Sequence, residues 1–181
     1  KVGATMELGK NTYDGCNDDL PAGTIWQPNK AGSVSLELGF LTGPTSTSIV
    51  ASGTLSNFTP APGWCVNEAK IEYRADSSYW GISGKIKSPL FSEASALVAF
   101  MNGGLRTVTV DFVLDRCIPI GQPPNVCWRG GGINLDNISS GSPTKGSVNA
   151  KFGPYDPLKD LYLITIEGGF ESSPAKVYGS V

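Results

Sequence analysis

Histidine is absent from this chain of 181 residues, and the absence limits the chemistry that the chain can perform. Histidine is the commonest general base, proton shuttle and metal ligand, and most serine, cysteine and threonine nucleophiles depend on one. Most hydrolase mechanisms therefore lose a member, and binding is favoured over catalysis. Charge is also scarce, because charged residues make up 17% of the chain and its net charge is -2. Such a surface has no basic field for nucleic acid, so we expect no nucleic-acid partner.

Long apolar runs are absent as well. The densest run, Ala94 to Met101, is much shorter than the roughly 18 residues of a membrane-spanning helix, and it contains Ser95. We therefore expect no membrane insertion. The first residues, Lys1 to Thr5, contain no hydrophobic signal core, as expected of a mature protein whose leader has been removed, and export itself is inferred from the cysteines alone.

Cysteines are few but even in number: Cys16, Cys65, Cys117 and Cys127. Without histidine they cannot form a mixed Cys/His zinc site, and an even count favours two disulfides made in an oxidising compartment. Four cysteines allow three connectivities, and we favour the one that joins nearest neighbours, Cys16 to Cys65 and Cys117 to Cys127. The second bridge would clamp a loop that contains three prolines.

No metal or cofactor is expected. The acidic cluster at Asp14, Asp18 and Asp19 offers hard oxygen ligands that suit calcium. It lacks the twelve-residue loop pattern and the closing glutamate of a calcium-binding loop. We therefore interpret the cluster as a solvated loop, with calcium binding as the less favoured alternative.

Alternation of apolar and polar residues with a period of two recurs along most of the chain. Val34, Leu36, Leu38 and Phe40 share one face of a predicted strand, and residues 108–114 repeat the pattern. Further predicted strands, bounded by Gly, Pro, Asn or Ser, cover residues 24–27, 48–55, 69–74, 79–87, 147–152 and 161–168. Short strands at this spacing predict a sandwich or a barrel. The fold class we expect is an all-β, immunoglobulin-like or jelly-roll β-sandwich with two disulfides.

One segment breaks the alternation and predicts a short helix. Ser92 is a suitable N-cap, good helix formers follow as far as Met101, and Asn102-Gly103 is a typical helix stop. We expect this helix to cross one end of the sandwich and to pack its apolar side onto the core.

The candidate binding site follows the last cysteine. Trp128 supplies a stacking face, Arg129 supplies forked donors, and Asn134, Asp136 and Asn137 supply amide and carboxylate groups. Sugars are recognised by this combination, because a pyranose presents apolar C–H patches to an aromatic ring and hydroxyls to paired donors and acceptors. The alternative interpretation is structural: the indole packs against the disulfide, the guanidinium is solvated, and the other three residues form turns.

An enzyme without histidine would have to use carboxylates, as a glycosidase does with two acidic residues some 5 to 10 Å apart. Asp111 and Asp115 fall on the polar side of an otherwise apolar strand, as ordinary surface residues also would. Nothing singles out a catalytic pair. We therefore expect no catalytic residues and keep a carboxylate-dependent glycosidase as the least favoured alternative.

Three features together resemble a known family. These are Cys16 near the start, the aromatic-Cys-x-Asn step at Trp64-Cys65-Val66-Asn67, and the alternating strands. Across its whole length the chain is similar to the receptor-binding (lectin) domains of chaperone-usher fimbrial tip adhesins. The resemblance implies a secreted, non-catalytic adhesin domain that binds a cell-surface glycan or glycoprotein at an extracellular fimbrial tip.

The same resemblance implies a domain organisation. Residues 1–173 would form the receptor-binding β-sandwich, and residues 174–181 would form a C-terminal tail or interdomain linker. A pilin-like domain or fimbrial subunits would follow the C-terminus as partners.

The cysteine spacing also resembles that of plant Kunitz-type proteinase inhibitors, which are β-trefoils with one long-range and one short-range bridge. Against this resemblance, Cys16 lies very close to the N-terminus and the chain after Cys127 is too long. No exposed arginine or lysine reactive loop can be assigned. A secreted Kunitz-type inhibitor is therefore the second functional hypothesis.

Overall fold

A computed structural model describes residues 2–10, 31–44, 46–61, 63–120, 126–154 and 164–181, and at positions 9, 10, 31, 117 and 154 it describes the backbone only. The described residues form eleven strands and no helix. The strands are β1 (Val2–Lys10), β2 (Ala31–Thr42), β3 (Thr47–Phe58), β4 (Cys65–Arg74), β5 (Tyr79–Lys87), β6 (Phe91–Met101), β7 (Gly104–Ile120), β8 (Val126–Asp136), β9 (Lys145–Pro154), β10 (Ile164–Ser172) and β11 (Ala175–Ser180). Each strand pairs with the next one in the chain, so that a single antiparallel sheet runs in the order β1 to β11.

The sheet confirms the all-β prediction, and most of the predicted strands lie where the alternation puts them. The predicted strand 79–87 coincides with β5, and the strands predicted at 48–55, 69–74 and 147–152 lie within β3, β4 and β9. The strand predicted at 24–27 lies outside the described residues. Alternation is a reliable guide here because nearly every strand is apolar on one side only.

The predicted sandwich is not confirmed, because the described strands form one layer. A sandwich buries the inner faces of two sheets against each other. Among the described residues, the buried hydrophobic side chains are those of Cys65, Ala99 and Cys127 alone. The part of the chain that the structure describes therefore contains no second layer and no extended hydrophobic core.

The predicted short helix is wrong, since its residues form β6. Along this strand Ala94, Ala96 and Val98 lie opposite Ile86, Gly84 and Ile82 of β5. Helix formers such as alanine and leucine have only a weak intrinsic preference, and pairing on both sides of the strand overrides it. The expected helix stop is a hairpin turn instead: Asn102 and Gly103 have φ values of 51° and 78°, the left-handed pair that a two-residue type I′ turn requires.

Besides β6, three strands are not among the predicted ones: β1, β8 and β11. Residues 174–181, expected to be a tail or linker, include β11, which pairs with β10 from Glu167 to Ser172. The candidate sugar-binding residues 128–136 lie in β8. The sheet has two ends, and we call the end with the hairpins at 75–78 and 102–103 the turn end. The opposite end, at which β4 and β8 begin, is called the cysteine end.

Candidate functional site

One face of the sheet is apolar from β1 to β11. In antiparallel pairs, directly opposed residues place their side chains on the same face. Ala4 is opposite Leu36, Leu36 is opposite Gly53, and Gly53 is opposite Ile71, and the register carries the face onward to β11 in the same way. We call this surface the apolar face. Its mid-strand members are Ala4, Met6, Leu36, Leu38, Ala51, Gly53, Ala69, Ile71, Ile82, Gly84, Ala96, Val98, Val108, Val110, Gly131, Ile133, Val148, Ala150, Ile166, Gly168, Val177 and Gly179.

The apolar face is exposed rather than packed. Leu36 is 61% exposed, Ile71 is 52% exposed and Val148 is 55% exposed. Single exposed apolar residues are common on soluble proteins, but a contiguous apolar patch of more than a few hundred Å² marks an interaction surface. A patch that crosses every described strand therefore requires a partner.

Aromatic side chains border the apolar face at both ends. The turn-end row consists of Phe40, Tyr73, Trp80, Phe100 and Phe170, and the cysteine-end row consists of Phe58, Phe91, Phe112, Trp128 and Phe152. Within the turn-end row the rings of Tyr73 and Trp80 are 4.6 Å apart. Within the cysteine-end row Phe112 stands edge-on to Phe91 and to Trp128, at 5.7 Å and 5.6 Å between ring centroids. None of the mid-strand residues between the two rows is charged.

The opposite face is mainly polar, and most of its residues are small or charged. In one of its rows Ser35, Thr54, Lys70 and Ser83 are opposed in turn across β2 to β5. We call this surface the polar face. Its charges occur in pairs: Glu72 contacts Arg74 at 2.6 Å and Lys70 at 3.2 Å, and Lys151 contacts Asp111 at 3.2 Å. Hydrogen bonds also cross its strands, as Thr109 Oγ1 donates to Asn134 Oδ1 over 2.8 Å.

The structure does not bring the predicted sugar-binding residues into one pocket. Trp128 lies on the apolar face, half-buried beside Phe112. Asn134 lies on the polar face, six positions along β8, which corresponds to about 20 Å of strand. A single sugar ring cannot stack on this indole and also bond this amide. Arg129, the next candidate, is 5% exposed.

The other two candidates, Asp136 and Asn137, lie at the turn end. Asp136 accepts a hydrogen bond from Thr107 Oγ1 over 2.7 Å and lies 3.8 Å from the Arg106 guanidinium. Asn137 has a φ of 59° and donates from its amide to the carbonyl of Pro143, as a turn residue does. Their contacts are those of a strand end and a turn.

Both Cys65 and Cys127 are disulfide-bonded, which agrees with the prediction that the cysteines are oxidised. Both are buried at the cysteine end of the sheet. The predicted pairing of Cys16 with Cys65 and of Cys117 with Cys127 lies outside the described residues, because Cys16 is not described and Cys117 is described by its backbone alone.

The calcium alternative at Asp14, Asp18 and Asp19 also lies outside the described residues. Over the described ranges, no group of three or more acidic or cysteine side chains is placed to hold a metal ion. In the same ranges no helix is long and apolar enough to cross a membrane.

Comparison with known proteins gives no relative. No protein-family model, no curated protein and no solved structure matches the chain. The resemblance to fimbrial adhesin domains and the Kunitz-type alternative therefore stay predictions. Function is therefore inferred from the chemistry of the two faces of the sheet.

Sequence reasoning overlooked the apolar face as a functional surface. The signal was present in the alternation, because strand after strand places apolar residues on one side. Alternation shows which residues share a face, but it does not show what covers that face. The same alternation is expected whether a second sheet or some other apolar partner covers the face.

Proposed function

We propose that this protein is a membrane protein, with the apolar face of its sheet against lipid hydrocarbon and the polar face toward water. The observation that carries the proposal is the exposed apolar face, which crosses all eleven described strands without a mid-strand charge. Acyl chains suit such a face because they form no hydrogen bonds and tolerate no unpaired polar group.

The dimensions of the sheet support this assignment. A strand of about 9–11 residues crosses a hydrocarbon layer of roughly 30 Å when it is tilted. Most described strands have a matching length: β1 has 9 residues, β4 has 10, and β6 and β8 have 11 each. Phe91 and Phe100, at opposite ends of β6, are separated by about 30 Å of strand.

The aromatic rows support the same assignment. Tryptophan and tyrosine are enriched at both interfaces of a membrane, where an amphipathic ring meets the lipid headgroups. The turn-end row contains Tyr73 and Trp80, and the cysteine-end row contains Trp128. In the described strands only aliphatic residues, one methionine and glycine occur at mid-strand between them, as expected for an apolar band about 25 Å tall.

The segregation of charge is a further argument. A charge in hydrocarbon is expensive, so charged side chains within a membrane face water or one another. Here the ion pairs Glu72–Arg74 and Asp111–Lys151 both belong to the polar face. The disulfide-bonded Cys65 and Cys127 at the cysteine end indicate that this end meets an oxidising compartment.

The proposal carries one structural requirement. β1 pairs with β2 and β11 pairs with β10, so that each is an edge strand of the described sheet. Edge N–H and C=O groups cannot remain unpaired in hydrocarbon. In a membrane both edges must therefore find partner strands.

Membrane insertion departs from the expectation drawn from apolar run length. That criterion detects helices, in which every residue of a span is apolar. A strand reaches hydrocarbon with alternate residues only, so Leu36 and Leu38 are separated by Glu37 and leave no long run.

Liposome flotation tests the proposal with a matched pair of variants. Ser35 and Leu36 are neighbours in β2, between β1 and β3, and lie on opposite faces. The full chain should float with liposomes on a density gradient and resist an alkaline wash. Leu36→Arg should largely abolish flotation, since a cation on a lipid-facing strand costs about 2–4 kcal/mol at the bilayer midplane. Ser35→Arg should float like the unmodified chain.

Two outcomes would contradict the proposal. One is an unmodified chain that stays folded at the bottom of the gradient. The other is equal flotation of the Leu36→Arg and Ser35→Arg variants, since the two faces would then not differ in their contact with lipid.

A further inference from the structure

Gly132, the last residue of the glycine run Gly130–Gly132, shapes the polar face over β7 to β9. All three glycines are buried. Asp111 of β7, Gly132 of β8 and Asn149 of β9 are opposed in one row of the polar face. A Cβ atom at Gly132 would lie 2.6 Å from Asp111 Oδ2 and 3.1 Å from Asn149 Nδ2. Both polar side chains therefore lie over Gly132, in space that the Cβ atom of any other residue would occupy.

We call the surface formed by Asp111, Gly132 and Asn149 the polar shelf. With the neighbouring Lys151 included, the shelf is close to electrically neutral. Lys151 donates to Asp111 Oδ1 over 3.2 Å, and the pair is partly exposed. The matched charges disfavour a strongly charged ligand, because neither sign is left in excess. They leave a carboxylate and an ammonium group side by side, and such a pair can accept from and donate to a neutral hydroxyl.

Amide groups extend the shelf in the next row. Asn134 uses its Oδ1 to accept from Thr109, which leaves its NH₂ group available as a donor. Asn149 Oδ1 has no hydrogen-bond partner among the described residues. This oxygen is itself buried, so the group that half-buried Asn149 offers to a ligand is its NH₂ group.

An aromatic ring lies on the same face. Asn134, Ser147, Gly169 and Tyr178 are opposed in one row from β8 to β11. A Cβ atom at Gly169 would collide with the Tyr178 ring, so this ring lies over the glycine, and the residue is 58% exposed. Gly169 is two strands away from Asn134, which corresponds to about 10 Å across the sheet.

We propose that the polar face over β7 to β11 binds a neutral oligosaccharide. One sugar unit stacks on the exposed ring of Tyr178, and the hydroxyls of a neighbouring unit bond Asn134, Asn149 and Asp111. A stacking ring and paired donors and acceptors are what sugars require, and here they share one face. The span between ring and shelf requires a ligand of more than one sugar unit. The inference does not depend on lipid contact, because it uses the polar face alone.

The test is a calorimetric titration of the full chain in a detergent whose headgroup is not a sugar. The probes are maltotetraose, cellotetraose and chitotetraose, with a sulfated tetrasaccharide as the charged comparison. Tyr178→Ala should weaken binding at least about tenfold, whereas Tyr178→Phe, which keeps the stacking ring, should stay within about threefold of the unmodified chain. Tyr79→Ala is the matched control, because Tyr79 also lies against a glycine of the polar face, Gly81, but in β5.

A second readout covers the case in which Tyr178→Ala does not fold. In the unmodified chain, the side-chain amide NMR signals of Asn134 and Asn149 should shift on titration, and Asn149→Leu should weaken binding. The proposal is overturned if no neutral probe binds saturably, if only the sulfated probe binds, or if Tyr178→Ala and Tyr79→Ala have equal effects.

Discussion

The two faces of the sheet share one backbone and one hydrogen-bonded ladder, yet they differ in every other respect. On β7, Val110 belongs to the apolar face, whereas its neighbour Thr109 belongs to the polar face and donates to Asn134 across the strand pair. Aromatic rings border the first face, and ion pairs lie on the second. A sheet with this division needs two different environments, which supports a position between lipid and water.

The largest effect in this comparison is expected for glycines on opposite faces. Gly132→Ala adds a Cβ atom to the polar face 2.8 Å from the carbonyl oxygen of Val110 and 2.6 Å from the Asp111 carboxylate. The backbone oxygen cannot move away, so the free energy of unfolding should fall by about 1–3 kcal/mol. The measurement is chemical denaturation in detergent, followed by circular dichroism.

The matched control is Gly84→Ala on the apolar face. Its added Cβ atom would meet the carbonyl oxygen of Glu68 at 3.5 Å, an ordinary contact. The free energy of unfolding should stay unchanged or rise by about 0.5 kcal/mol, since alanine loses less conformational entropy on folding than glycine. If both substitutions lower the free energy of unfolding equally, the close packing around Gly132 does not require glycine more than Gly84 does.

A smaller effect is expected from exchanging threonine and valine between adjacent positions. Thr109→Val removes the hydrogen bond to Asn134 and should cost about 0.5–1.5 kcal/mol. Val110→Thr places a hydroxyl on the apolar face, and in a lipid environment it should destabilise by a similar amount. The check is denaturation of both variants in liposomes. If Val110→Thr is neutral there, the apolar face does not contact hydrocarbon.

The two faces also differ in how well the sequence predicts them. The period-two pattern identified the apolar side of β2 and β7 correctly, because side-chain direction in a strand is fixed by parity. Residues 92–101 also alternate at Ala94, Ala96 and Val98, but their alanine and leucine content predicts a helix as well. Intrinsic propensity is weak beside strand pairing on two sides.

The candidate site was harder to predict for a geometric reason. Trp128 and Asn134 are close in the sequence, but an extended strand separates them by about 20 Å, and the register shift between Trp128 and Gly130 places them on opposite faces. Conversely, Asn134 and Tyr178 are distant in the sequence and share a row only because β9 and β10 lie between their strands. Register decides which residues meet, and register becomes visible only when the strands are paired.

The most direct test of the central claim is the environment of Trp80 on the apolar face. The chain would keep this tryptophan alone, with Trp26, Trp64 and Trp128 changed to phenylalanine, and would be reconstituted in liposomes. Trp80 lies in the turn-end row and is 50% exposed, so hydrocarbon contact predicts strong quenching of its fluorescence by lipids with brominated acyl chains and little quenching by aqueous iodide. Quenching by iodide without any effect of the brominated lipids would contradict the account.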